Sequence, residues 1–247
     1  MAMQASSSLA EWEQLATGAH AWQMRPDLLR APNVRDAWLA RLPREEREQY
    51  ERFLTDEMRE RYLAARVLCR TTLSRYTGVD PSEWRFGENA HGKPMVLHPE
   101  RFTELRFNLT HTNGLLICIV TRAGEVGVDA EDTSQPVDVA LVAKHFLSSG
   151  EAARLANLPA RERRRRFFEQ WVLKEAYVKA IGIGLADAGE RLTVARREDG
   201  LPESTGGCEF SVYRPSSDRV AAAAVLARRG RASISFQWRT VTDMWRR

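Results

Sequence analysis

Residues 105–131 read LRFNLTHTNGLLICIVTRAGEVGVDAE, and this stretch decides the fold. Positions 105–109 have strand character, Asn113-Gly114 is a hairpin turn signal, and 115–120 form an unbroken apolar run suited to a buried strand. Arg122 to Glu125 turns the chain again, into a strand over 126–131. Strands joined by such short turns pair antiparallel, because a parallel pair needs a crossover of about a dozen residues or more. The end of the chain repeats the habit, with strands expected at 210–213, 220–226 and the cleanly alternating 234–238.

Helical periodicity fills the rest. Over 44–76 the residues Met58, Tyr62, Ala65, Cys69, Leu73 and Tyr76 form a 3-4 stripe, and Gly78 stops it. A short polar segment with Gly87, Gly92 and Pro94 follows. Further helices are expected at 138–146, 148–157 and 161–181. Helices mixed with neighbouring strands predict an α+β protein with small antiparallel sheets rather than a βαβ-wound one. The Arg122–Gly124 turn divides it into halves of similar length, 1–122 and 123–247.

Composition narrows the class. The chain has 247 residues, is 43% hydrophobic and 28% charged, and carries a net charge of +4, which excludes disordered and collagen-like chains. No run approaches the roughly 18 apolar residues of a membrane span. The opening MAMQASSSLA has neither a basic nor an apolar leader region, so no signal peptide is expected. Cys69, Cys118 and Cys208 lie far apart in apolar surroundings, which fits buried thiols of a cytoplasmic protein better than disulfides or a zinc knuckle. A small positive charge suits an anionic substrate or an acidic partner without requiring nucleic acid. Of 37 basic residues only four are lysines: Lys93, Lys144, Lys174 and Lys179.

Four constellations can carry chemistry. In Val126-Gly-Val-Asp129-Ala-Glu131, strand alternation puts Asp129 and Glu131 on one face, roughly 6.6 Å apart. Such a pair suits a hard divalent cation such as Mg²⁺, and it equally suits the wet face of a strand. In Phe167-Phe-Glu-Gln-Trp171-Val-Leu-Lys174-Glu175-Ala-Tyr-Val-Lys179, the apolar arc of Phe168, Trp171, Val172, Ala176 and Val178 has Glu175 and Lys179 near its centre. Charges there are costly unless paired or bound, so the choice lies between an i,i+4 ion pair and a site. Gly182-Ile-Gly184-Leu ends that helix in a turn. Thr110-His111-Thr112 can hold an imidazole or cap a turn, and Gly92-Lys93-Pro94 is a turn bearing one of the rare lysines.

Taken in this order, the motifs resemble those of the 4'-phosphopantetheinyl transferases, in particular their larger surfactin-type branch. The resemblance runs from about 44 to 226. It rests on the helix ending in Arg-Val-Leu-Cys-Arg70, Gly92-Lys93-Pro94, Phe107-Asn-Leu-Thr-His111-Thr, Gly127-Val-Asp129-Ala-Glu131 and Trp171-x-x-Lys174-Glu175-Ala-x-x-Lys179. It implies two pseudo-twofold subdomains with the active site between them. The first would contact the nucleotide of coenzyme A, and the second would hold the metal and catalytic residues. It also implies transfer of the phosphopantetheine arm of coenzyme A to a serine of an acidic acyl or peptidyl carrier protein, releasing 3',5'-ADP, by a monomeric enzyme.

By resemblance, Asp129, Glu131 and Glu175 would hold Mg²⁺, Glu175 would be the base, and Lys179 would stand at the leaving phosphate. Lys174 would be a further phosphate contact, and Arg61, Lys93, Thr110 and His111 would bind the nucleotide end. Two departures are visible: Thr110 and Thr112 stand where serines are usual, and between 47 and 52 the usual basic residue has no clear counterpart, Gln49 being nearest its place. Ser148-x-x-Glu151 reads as a capping box ahead of a catalytic acid. The run Arg161-Glu-Arg-Arg-Arg-Arg166 is either a solvated helix face or a docking surface. The alternative reading is a Mg²⁺-dependent nuclease or phosphodiesterase, which accounts for acids, lysine and arginines but not for Gly92-Lys-Pro94 or Thr110-His111.

Overall fold

The computed structural model describes residues 9–183, 207–228 and 233–241. In chain order it contains β1 (Gly18–Met24), α1 (Pro32–Leu39), α2 (Arg44–Arg52), α3 (Asp56–Thr77), β2 (Arg85–Glu88), β3 (Pro94–His98), β4 (Arg106–Thr112) and β5 (Leu115–Thr121). There follow β6 (Gly124–Asp132), α4 (Val139–Phe146), α5 (Ser149–Ala156), α6 (Ala160–Ile181), β7 (Cys208–Ser216), β8 (Arg219–Ala227) and β9 (Ser235–Thr240). The architecture is α+β, as the run of turn-linked strands predicts. Gly184 and Leu185, assigned above to the turn after the last long helix, lie outside the described residues.

Two sheets form the centre. One has the order β4-β5-β1-β9 and the other β6-β8-β7, while β2 and β3 make a separate hairpin. All pairings are antiparallel except β1 with β9, which run parallel. β9 comes from the far end of the chain and joins the first sheet, so it crosses the division at the Arg122–Gly124 turn.

Side-chain alternation sorts the core into three layers. Leu116, Cys118 and Val120 of β5 face α3, where they meet Leu63, Ala64, Val67 and Leu68. Leu115, Ile117 and Ile119 face the other way, onto Val126, Val128 and Ala130 of β6 and Ala221, Ala223 and Val225 of β8. Val220, Ala222 and Ala224 of β8 then pack under Phe168, Val172, Leu173 and Ala176 of α6. Helix, sheet, sheet and helix are thus stacked, and β5 is buried along its whole length because it is covered on both faces.

Several expectations need correction. The single helix over 44–76 is two helices. Thr55 accepts a hydrogen bond from the Met58 amide at 3.2 Å, and with Asp56 and Glu57 in the first turn it starts α3 afresh. The buried face of α3 is also broader than the expected stripe: Met58, Tyr62 and Ala65 are only half-buried, and Leu63, Ala64, Val67 and Leu68 take the core. The polar segment around Gly87 and Gly92 is the β2–β3 hairpin. Cys69, Cys118 and Cys208 are buried free thiols. Among the described residues no helix is long and apolar enough to cross a membrane.

Candidate active site

The site lies where α6 crosses β6. Gly127 makes the crossing possible, since a Cβ on it would lie 2.0 Å from the Ala176 carbonyl oxygen and 2.4 Å from the Ala180 nitrogen. The helix backbone therefore rests directly on the strand. Val126, Val128 and Ala130 point into the layer between the sheets, which leaves Asp129 and Glu131 facing the helix side. The buried stripe of α6 centres on Val172, Ala176 and Ala180, so Glu175 and Lys179 sit on its border rather than its middle.

Asp129 is the hub. Its Oδ1 accepts from the Lys179 ammonium at 2.7 Å and from the Thr110 hydroxyl at 3.1 Å. Its Oδ2 is buried and has no hydrogen-bond partner among the described residues. Thr110 arrives on β4, which lies along β6: the Asn108 side-chain oxygen accepts from the Val128 amide at 3.1 Å. Glu131 accepts from the Trp171 indole at 3.2 Å, and Trp171 packs edge-on against Phe146 of α4.

The electrostatics mark the acids as a group. Burial pushes the Glu131 carboxyl up to about 7, and the Asp129 and Glu175 charges add to the effect. Glu175 is also raised, first by burial and then by Asp129, with Lys179 opposing. Carboxyls whose pKa is raised by neighbouring carboxylates are relieved by a cation placed among them. No group of three His, Cys, Asp or Glu among the described residues closes into a metal cage. The donor set still fits a hard divalent cation, because the free Oδ2 of Asp129 and the crowded Glu131 and Glu175 offer oxygen ligands of the right kind.

Cations face this acidic floor. His111 follows Thr110 on β4, and its pKa is lowered by partial burial of the ring and by the nearby Arg61 and Lys179 charges. The structure thus brings together Asp129, Glu131, Glu175, Lys179, Thr110, His111 and Arg61.

Two lysines of the expected set are engaged elsewhere. The Lys174 ammonium lies 2.7 Å from a Glu151 carboxylate oxygen and 3.1 Å from the Phe146 carbonyl, buried between α4, α5 and α6. Burial would raise the Glu151 pKa, but Lys174 and the Ser148 amide together bring it below the usual carboxylate value. Glu151 also completes the expected capping box with Ser148 at the start of α5. The Lys93 ammonium lies 2.6 Å from Glu125 and donates to the Ala180 carbonyl at 2.5 Å. The arginine run of α6 is largely tied down: Arg163 bonds the Ala156 and Leu158 carbonyls, Arg164 those of Thr133 and Gln135, and Arg165, Arg166 and Arg214 converge on Glu169. The polar contacts of Trp171, Asn108 and Glu125 are not expected from sequence. Trp171 lies inside a quoted motif and could have been found there, whereas nothing in the spacing marked Glu125.

Comparison with known proteins finds matches over most of the chain. Residues 125–225 match the family model described as the 4'-phosphopantetheinyl transferase superfamily, and residues 32–123 match that described as 4'-phosphopantetheinyl transferase, N-terminal. The chain is 33% identical over 189 residues to the 4'-phosphopantetheinyl transferase HetI of Nostoc sp., covering 75% of this chain and 79% of the relative. It is 31% identical over 174 residues to the 4'-phosphopantetheinyl transferase Sfp of Bacillus subtilis, covering 68% of this chain and 75% of the relative. A phosphopantetheinyl transferase of Thraustochytrium sp. is 33% identical over 171 residues, covering 65% of this chain and 59% of the relative. The nuclease alternative finds no support in these matches.

Proposed function

The chain belongs to the 4'-phosphopantetheinyl transferase superfamily, in its Sfp-like branch, and from that premise we propose that it moves phosphopantetheine from coenzyme A to a serine of an acidic acyl or peptidyl carrier protein. The serine oxygen forms a bond to the phosphorus that bears the pantetheine arm. The bond from that phosphorus to the bridging oxygen breaks, and 3',5'-ADP leaves with the electron pair. The observation that carries this reading is the meeting of Asp129 and Glu131 from β6 with Glu175 and Lys179 from α6, where Lys179 is bonded to Asp129 and the acids act on one another electrostatically.

Each residue then has a task. Glu175, held above its usual pKa by burial and Asp129, takes the serine proton, directly or through a water. Lys179, fixed on Asp129 Oδ1, faces the charge that develops on the departing phosphate and can return a proton to it. Arg61, Thr110 and His111 receive the phosphates and nucleotide of coenzyme A. Asp129, Glu131 and Glu175 would hold Mg²⁺, which supplies neutralising charge at the pyrophosphate when bound. Lys174 supports the site from behind through its buried pair with Glu151. All these groups come from one chain, which supports a monomeric enzyme.

The test is product release. With coenzyme A and Mg²⁺ present, 3',5'-ADP should appear only when an apo carrier is added, and a carrier whose acceptor serine is replaced by alanine should yield none. Release that ignores the carrier, or no release with any carrier, contradicts the reading.

A further inference from the structure

Three segments remote in sequence meet at the C-terminal end of α6. Lys93, on the turn between β2 and β3, places its ammonium 2.6 Å from Glu125 of β6 and donates to the Ala180 carbonyl at 2.5 Å. Asn89 of the same turn donates from its side-chain amide to the Gly182 carbonyl at 2.9 Å. The Asn89 side-chain oxygen accepts from the His91 and Lys93 amides, both at 2.9 Å, so the turn is preorganised. Arg106 of β4 holds the other Glu125 oxygen at 2.6 Å, which fixes the carboxylate that orients Lys93.

These contacts solve a physical problem. The last four carbonyls of a helix have no partner within it, and the C-terminal end carries partial negative charge. A lysine ammonium and an amide N–H supply donors to that end, and only 11% of the Lys93 side chain is exposed. Gly182 ends the helix at φ 75°, and a Cβ on it would lie 2.9 Å from the Asn89 amide nitrogen and 3.0 Å from Lys93 Cδ. The turn is therefore pressed onto the helix end. Ala180, whose carbonyl is captured, follows Lys179 directly.

We propose that Lys93 is a positioning residue: its ammonium, aimed by Glu125, clamps the last turn of α6 and so holds Lys179 on Asp129. The proposal rests on the transferase reading above, and it gives Lys93 a role in the rate of transfer rather than in holding the nucleotide. Displacing a catalytic group by about 1 Å can cost as much as a hundredfold in rate, so a clamp on the adjacent residue has leverage.

The experiment compares steady-state transfer by wild type, Lys93→Met, Lys93→Arg and Glu125→Gln, with direct calorimetric binding of 3',5'-ADP to each. Lys93→Met and Glu125→Gln should each lower kcat about tenfold or more, while KM for coenzyme A and affinity for 3',5'-ADP change by no more than about twofold. Lys93→Arg, which keeps a cationic donor, should recover part of the loss. Combining Lys93→Met with Glu125→Gln should add little to either alone, because both act through the same Lys93 clamp on the Ala180 carbonyl. The proposal is overturned if Lys93→Met raises KM for coenzyme A and weakens 3',5'-ADP binding with kcat intact. It is equally overturned if the variant melts lower yet turns over at the wild-type rate. If Lys93→Met does not fold, the isosteric Glu125→Gln decides by the same split. A wild type that transfers nothing would instead sink the transferase reading. The clamp is then read by hydrogen exchange at the 178–183 amides, which should quicken in Glu125→Gln, and unchanged exchange would overturn it.

Discussion

Asp129 shows what a single residue is asked to do here. One of its oxygens is shared by Lys179 and Thr110, and the other is buried without a partner among the described residues. A carboxylate so placed holds a lysine in position and keeps a ligand site open. Lys179 is one of only four lysines in a chain that otherwise writes arginine, and lysine differs from arginine in being able to give up its proton. Lys179→Arg should therefore lose at least about tenfold in kcat despite its conserved charge, with the fold intact by circular dichroism. Wild-type turnover in that variant would remove proton donation from its role. His20 makes a different prediction. It is fully buried, with Nδ1 2.8 Å from the Tyr76 hydroxyl, and burial, aided by the Arg239 charge, pushes its pKa from 6.5 down to about 4. The unfolded chain then takes up the proton first, so stability should fall as pH drops from about 6.5 to about 4, by roughly 3 kcal/mol in all. Urea titrations across that range should show the loss, and His20→Gln should flatten it. An equal acid sensitivity in the variant would place the effect elsewhere.

Among the elements, the crossing of β6 and α6 is the most constrained. Gly127→Ala would drive a methyl group into the backbone of the helix that carries Glu175 and Lys179, where no side chain can yield. It should cost at least about 1–3 kcal/mol and lower transfer as well, read as a fall in Tm together with kcat. An unchanged Tm would mean that the helix does not rest on the strand. The sequence made this element pair legible. Alternation alone put Val126, Val128 and Ala130 on one face and the two acids on the other, as the packing has them. The turn-linked strands β4, β5 and β6 were legible for the same reason. β1 was not, because Gly18–Met24 is buried on both faces and puts the polar His20 and Gln23 on opposite sides of the strand, so no alternation survives. The break between α2 and α3 hangs on one threonine cap, which periodicity overlooks. For Lys93 and Lys174 the motif was legible but the direction of the ammonium was not, since spacing says nothing about which way a long side chain turns.

At the scale of the molecule, two sheets lie face to face between helices, and the site sits at the seam where β4 meets β6. Each half of the sequence supplies part of it: Arg61, Thr110 and His111 from before the Arg122–Gly124 turn, and the acids and Lys179 from after it. The return of β9 into the first sheet ties the halves together through backbone pairing with β1, at the sheet edge opposite β4. The central claim is that this seam performs phosphopantetheine transfer through Glu175. Its most direct test is intact-mass spectrometry of an apo carrier protein incubated with coenzyme A, Mg²⁺ and either the wild type or Glu175→Gln, matched for folded concentration. The account predicts one phosphopantetheine per carrier with the wild type and an unmodified carrier with the variant. A carrier left unmodified by the wild type across a panel of carriers, or fully modified by Glu175→Gln, would contradict it.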